Sequence, residues 1–184
     1  MSSIDISKKF VSINIGLLTI SDTRSLNDDK SGDLLNDKII NFGHKVKNRQ
    51  IIKDDVSLIK KTILELSNDK LIDAIITTGG TGLTGRDSTP EAVESIAHKI
   101  ISGFGELFRQ VSYEEIGTST IQSRAVAGLA NHTIIFCMPG STGACNTAWN
   151  KIIQAQLDST QKPCNFVSQL KVVEQEVDLC KTRG

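Results

Sequence analysis

Apolar runs and helical spacings alternate along the chain. Ile13-Asn14-Ile15-Gly16-Leu17-Leu18-Thr19-Ile20 is nearly continuous in apolar residues, as expected of a strand buried on both faces of a parallel sheet. Leu34, Leu35, Ile39 and Phe42 then recur at helical spacing, and Gly43 stops that helix. Lys45 to Ile52 reads as a second strand ending in Lys53-Asp54-Asp55, and Val56, Ile59, Ile63, Leu64 and Leu66 make the next amphipathic helix. A third strand runs from Ala74 to Thr77, followed by a helix from Pro90 to about Ile100. Gly103 and Gly105 break the pattern before a further helix, Leu107 to Ile116. Gly128 onward leads into a fourth strong strand, Thr133 to Met138. A last helix carries Ala148, Trp149, Ile152, Ile153 and Leu157 on one face and ends by Pro163.

Strands alternating with helices imply an α/β fold, with a mostly parallel sheet and helices on both faces. The strand C-termini then gather on one edge, where ligands of such sheets bind. That edge collects Ser21-Asp22, Asp54-Asp55, the stretch after the third strand, and Pro139-Gly140-Ser141. The first twelve residues read as a flexible arm, residues 13–170 as one domain, and residues 171–184 as a charged tail of ambiguous structure. The loop from Leu26 to Lys30 reads as mobile.

The stretch after the third strand is the most informative. Thr77 to Glu91 reads TTGGTGLTGRDSTPE. Its glycines let the backbone approach a ligand and take positive φ. Ser88 or Thr89 can cap the following helix, Pro90 suits its first turn, and Glu91 completes a capping-box spacing from Ser88. Strand, glycine loop and helix N-terminus together make an anion site. Gly80-x-Gly82-x-x-Gly85 fits a dinucleotide fingerprint, but it follows the third strand, not the first, and the helix starts late. Asp87 also stands where a pyrophosphate needs donors. A carboxylate beside a phosphate cradle is repulsive unless a cation lies between them. Mg²⁺ takes one or two carboxylates plus phosphate oxygens, and Asp22, Asp54, Asp55 and Asp87 supply candidates. For Asp22 and Asp55 ordinary turn chemistry is an equal alternative.

Composition narrows the field. The 184 residues carry 21 basic and 21 acidic side chains, with 39% hydrophobic and 4% aromatic residues. No basic patch or stacking platform points to nucleic acid. Cys137, Cys145, Cys164 and Cys180 form no C-x-x-C pair, which argues against zinc and suits reduced thiols in a cytoplasmic protein. No signal peptide or membrane-length apolar run is present in the sequence. His44, His98 and His132 read as surface residues. Pro139-Gly140-Ser141-Thr142-Gly143 is not the hydrolase elbow, so Ser141 reads as a cap and anion donor, and Arg24 and Arg86 as possible phosphate partners.

The stretch Thr77 to Glu91 closely resembles the signature of the molybdopterin adenylyltransferase family of the MogA/MoaB type, which is related to the G domain of gephyrin. Met138 to Phe166 and Glu114 to Asn131 resemble its short MoaB branch, and the resemblance runs from about Ile13 to Leu170. It implies a three-layer α/β/α fold assembling as a homotrimer or homohexamer. It implies Mg²⁺-dependent transfer of AMP from ATP to molybdopterin with release of pyrophosphate, before a downstream molybdenum-insertion enzyme acts. The alternative is a protein of the same pathway that binds molybdopterin or nucleotide without turnover. The family's aspartates carry over onto Asp87 and onto Asp54, with Asp55 its neighbour. Ser21, Asp22, Thr78, Gly79, Gly80, Thr81, Gly82, Pro139, Gly140 and Ser141 are the expected binding residues. No nucleic acid or membrane partner is expected.

Overall fold

The computed structural model describes residues 3–170, and the charged tail lies outside the described residues. Its centre is a six-stranded sheet. The strands are β2 (Asn14–Ile20), β3 (Lys45–Ile52), β4 (Ala74–Thr78), β5 (Lys99–Ile100), β6 (Val126–Ala130) and β7 (Thr133–Met138), in the spatial order β3-β2-β4-β7-β6-β5. The four strands from β3 to β7 are parallel, whereas β6 and β5 run antiparallel on the far edge.

Side-chain alternation splits the core into two layers. Ile15, Leu17, Ile76, Ile134 and Phe136 face one side. There they meet Leu35 and Ile39 of α1 (Lys30–Phe42), Phe104 and Phe108 of α4 (Ser102–Ile116), and Cys145 and Ala148 of α5 (Thr142–Ala148). Leu18, Ile20, Ile75, Ile135 and Cys137 face the other side, against Ile59 and Ile63 of α2 (Val56–Asn68) and Val93 of α3 (Thr89–Ile96). This is the expected three-layer α/β/α arrangement. Both faces of β2, β4 and β7 are covered, which is why their sequences are almost continuously apolar.

Several boundaries differ from the sequence reading. α1 starts at Lys30 because the side chain of Asp29 accepts from the Gly32 amide, so the supposedly mobile loop ends in a fully buried cap. α3 stops at Ile96, and Lys99–Ile100 pairs with β6. Gly103 and Gly105 lie inside α4 and do not break it. A Cβ on Gly105 would sit 2.3 Å from the Ala125 carbonyl, so this glycine lets α4 press against the chain entering β6. β6 forms ahead of β7, where the sequence pattern predicts only a lead-in from Gly128. The opening residues differ from a free arm: β1 (Ser3–Ile4) pairs with β8 (Gln161–Lys162), and the Val11 amide donates to Ser159 Oγ. Trp149–Ile153 forms a π-helical turn after α5, continued by α6 (Gln154–Gln156).

His44 is a further correction, for it is buried. Its ring stacks on Phe10 at 5.1 Å, and its Nδ1 accepts from the Ile13 amide. Burial pulls its pKa down to about 4.

Candidate functional site

β2 connects to β3 on one side, and β3 crosses back to β4 on the other. The ends of β2 and β4 therefore frame the crevice where the strand order reverses. Three strand ends touch there. Gly79 has φ +99°, and a Cβ on it would lie 2.3 Å from the Ile20 carbonyl at the end of β2. Gly140, after β7, approaches the same residue, since its own Cβ would be 3.1 Å from Gly79 Cα. Only glycine fits where three backbones meet with positive φ.

The glycine loop lies between two carboxylates. A Cβ on Gly80 would come within 2.9 Å of Asp54 Oδ2, and one on Gly82 within 2.6 Å of Asp87 Oδ2. Asp54 follows β3 and Asp87 precedes α3, so the fold assembles the pair from separate parts of the sheet edge. Asp22 joins them: its Oδ1 accepts from the Asp54 amide at 3.4 Å, and its Oδ2 pairs with Arg86 at 2.7 Å. Burial raises the Asp54 pKa, and the charges of Asp87 and Asp22 raise it further, against hydrogen bonds from Ser88. Asp87 moves the other way, lowered chiefly by the Thr84 hydroxyl.

Asp55 has a different task. Its carboxylate accepts from the Leu58 amide and caps α2. The neighbouring acids are thus divided, with Asp55 turned to its helix and Asp54 to the loop.

Other expected site residues are committed to shaping the edge. Thr78 is buried, with its hydroxyl donating to the Pro139 carbonyl at 3.1 Å. Ser141 Oγ accepts from the Ala144 amide as the cap of α5. Ser21 Oγ accepts from the amides of Thr23 and Arg24. The Gly140 carbonyl accepts from Ser31 Oγ at 2.8 Å and from Arg24 at 3.3 Å. The Gly79 amide is spent on the Met138 carbonyl, so it is not free for a phosphate. Ser88 stands at the N-cap of α3 without making the side-chain cap bond, and it bonds Asp54 instead.

Arg124 escaped the sequence reading. It reaches from the chain entering β6 to the glycine loop, donating to the carbonyls of Thr81 (3.2 Å), Gly82 (2.9 Å) and Asp87 (2.7 Å), and it pairs with Glu91. The signal for it was weak: an arginine before an unrecognised strand, within the Glu114 to Asn131 block.

A divalent cation fits the chemistry of this donor set. Two carboxylates, Asp54 and Asp87, face a loop suited to phosphate, and Asp22 adjoins Asp54. Among the described residues no three His, Cys, Asp or Glu side chains could hold a metal by themselves. Mg²⁺ does not require that, since it retains waters and takes phosphate oxygens from the substrate. Two cavities lie away from the Asp54–Asp87 crevice. One of about 280 Å³ adjoins Arg124 beside Glu94, Glu106 and Arg109, and one of about 510 Å³ lies between Lys8, Lys9 and the 159–169 segment.

Residues 16–159 match the family described as a probable molybdopterin binding domain. The chain belongs to this family. It is 46% identical over 166 residues to molybdenum cofactor biosynthesis protein B of Escherichia coli strain K12, which covers 90% of this chain and 98% of that one. The Bacillus subtilis strain 168 protein of the same name is 42% identical over 142 residues, 77% and 84% of the two chains. A crystal structure of molybdenum cofactor biosynthesis protein B superposes with a TM-score of 0.79 at 44% identity, covering 82% of this chain and 94% of that one. The tungsten cofactor synthesizing protein MoaB of Pyrococcus furiosus gives 0.72 at 32% identity, covering 79% and 92%. The family resemblance carried by the glycine loop therefore holds, and the mixed sheet is the architecture of these relatives. No helix among the described residues is long and apolar enough to cross a membrane.

Proposed function

We propose that the chain acts in molybdenum cofactor biosynthesis in the cytoplasm and adenylates molybdopterin, using Mg-ATP and releasing pyrophosphate. The observation that carries the reading is the placement of Asp54 and Asp87 against Gly80 and Gly82 at the crevice. Such a reaction needs no side-chain nucleophile, because the substrate's own phosphate attacks the α-phosphate. Catalysis then reduces to positioning and charge neutralisation. The commitment of Ser141 to its helix cap agrees with this.

In this reading the Gly80–Gly82 segment cradles phosphate oxygens, and Asp54, with Asp87, holds the metal. Mg²⁺, when bound, neutralises charge on the phosphates. Asp22 and Arg86 line the mouth of the crevice. Asp54 must be ionised to take this part, and in the free protein burial works against that ionisation.

A second reading, binding of molybdopterin or nucleotide without turnover, draws support from Asp87. Its Oδ2 accepts from the Thr84 amide and hydroxyl at 2.9 and 2.6 Å, shorter bonds than the two 3.3 Å bonds from Ser88 that engage Asp54. Incubating the purified protein with molybdopterin, ATP and Mg²⁺ separates the two. Formation of adenylyl-molybdopterin supports the enzyme, and stoichiometric binding without pyrophosphate release supports the binding protein.

We further propose a homotrimer or homohexamer. Tyr113, Ile116 and Ile121 are more than half or about half exposed on and just after α4, an apolar surface suited to another copy of the chain. A monomeric mass in light scattering would contradict this. A downstream molybdenum-insertion enzyme is the expected recipient of the product.

A further inference from the structure

We propose that Arg124 is the positioning residue of the glycine loop: it holds the loop's carbonyls on its own side and so fixes the turn whose opposite side carries the Asp87 carboxylate. The inference rests on the phosphate-binding reading given above.

The contacts are specific to a guanidinium. Nε donates to Thr81 and Gly82 carbonyls, one terminal nitrogen donates to the Asp87 carbonyl, and the other pairs with Glu91 in the first turn of α3. This planar fork of five N–H donors and no acceptor serves three carbonyls and a carboxylate at once, which a lysine ammonium cannot reproduce. The Arg124 side chain is 27% exposed, so these bonds are partly shielded from water.

Peptide geometry gives the contacts a consequence. In a trans peptide the carbonyl and the amide hydrogen point in opposite directions. Holding the Thr81 and Gly82 carbonyls against Arg124 sends the Gly82 and Leu83 amides to the opposite side. The Asp87 carboxylate lies on that side, 2.9 Å from the Thr84 amide and within contact of Gly82. Arg124 and Asp87 therefore grip the same turn from opposite sides. A glycine-rich loop released from this grip loses order, and a ligand must then supply the ordering free energy itself.

Among the described residues, the other arginines near the crevice reach different groups: Arg86 pairs with Asp22, and Arg24 bonds Gly140. Arg124 thus connects the antiparallel edge of the sheet to the crevice at its centre.

The test compares wild type with Arg124→Ala, Arg124→Lys and Arg124→Gln. Amide hydrogen exchange over residues 80–88 of the free protein should speed up in each variant. The KM for ATP in the transfer assay should rise by about tenfold, with a smaller change in kcat, consistent with lost hydrogen bonds to a ligand-ordering group. Lysine should not restore the wild-type value, whereas added guanidinium ion should partly rescue Arg124→Ala. Unchanged loop exchange and unchanged KM would overturn the proposal, as would a loss of thermal stability with KM intact. Full rescue by lysine would also overturn it. Should Arg124→Ala fail to fold, the lysine and glutamine variants carry the same measurements. A wild type that shows no ATP dependence removes the phosphate-loop reading and this proposal together. An ATP-dependent wild type with indifferent variants removes this proposal alone.

Discussion

Ser88 donates both its amide and its hydroxyl to Asp54 Oδ1, each at 3.3 Å, and so fastens the start of α3 to the end of β3. These bonds oppose the burial and the acidic neighbours that raise the Asp54 pKa. Ser88→Ala should therefore raise that pKa further. In a pH–rate profile of AMP transfer, the acidic limb should move to higher pH, with the plateau rate near that of wild type. An unmoved limb would separate Asp54 from the titration.

Gly79 and Gly85 make a contrasting pair in the same loop. Gly79 has positive φ and faces the Ile20 carbonyl, whereas a Cβ on Gly85 meets nothing within 4 Å. Gly79→Ala should destabilise the fold by roughly 1–3 kcal/mol or more, the scale of backbone strain at such positions. Gly85→Ala should be neutral within about 0.5 kcal/mol. Urea denaturation of the two variants measures both.

The difference between these glycines marks how far the sequence could be read. The buried strands β2, β4 and β7 are legible because parallel strands covered on both faces must be apolar throughout. Their order then delivers the crevice and places the glycine loop in it. Asp54 and Asp55 are indistinguishable as adjacent letters, because only the backbone direction decides which one caps α2. Ser88 reads as a helix cap, yet its hydroxyl bonds Asp54, since a tertiary carboxylate is within reach. β6 and its partner β5 are an antiparallel addition with weak patterning, and Arg124 was invisible with them. His44 follows a helix-ending glycine and reads as a turn residue, but Phe10 and Phe42 close over it.

His44 gives a pH-dependent stability. Its ordinary pKa of 6.5 falls to about 4 in the fold, first through burial. Above pH 6.5 the ring is neutral in both folded and unfolded chains and contributes no pH dependence. Between 6.5 and about 4 the unfolded chain takes up a proton that the folded chain refuses, so stability falls as pH falls. The slope from this one group approaches about 1.4 kcal/mol per pH unit at most within that window. Melting temperatures of wild type and His44→Gln across pH 4–7 should show the slope reduced in the variant.

Asp55 should matter for stability and not for chemistry. Asp55→Ala removes the cap on Leu58 and should cost about 1 kcal/mol of stability, visible as a lowered denaturation midpoint. AMP transfer per folded molecule should stay close to wild type.

The most direct measurement is AMP transfer to molybdopterin by wild type, Asp54→Asn and Asp55→Asn, assayed side by side with ATP and Mg²⁺. Adenylyl-molybdopterin and pyrophosphate should form with wild type and Asp55→Asn, while Asp54→Asn falls by at least about a hundredfold, the scale of a lost electrostatic contact in a transition state. Transfer by Asp54→Asn at the wild-type rate would contradict the account, and so would a wild type that binds molybdopterin without ever forming the adenylylated product.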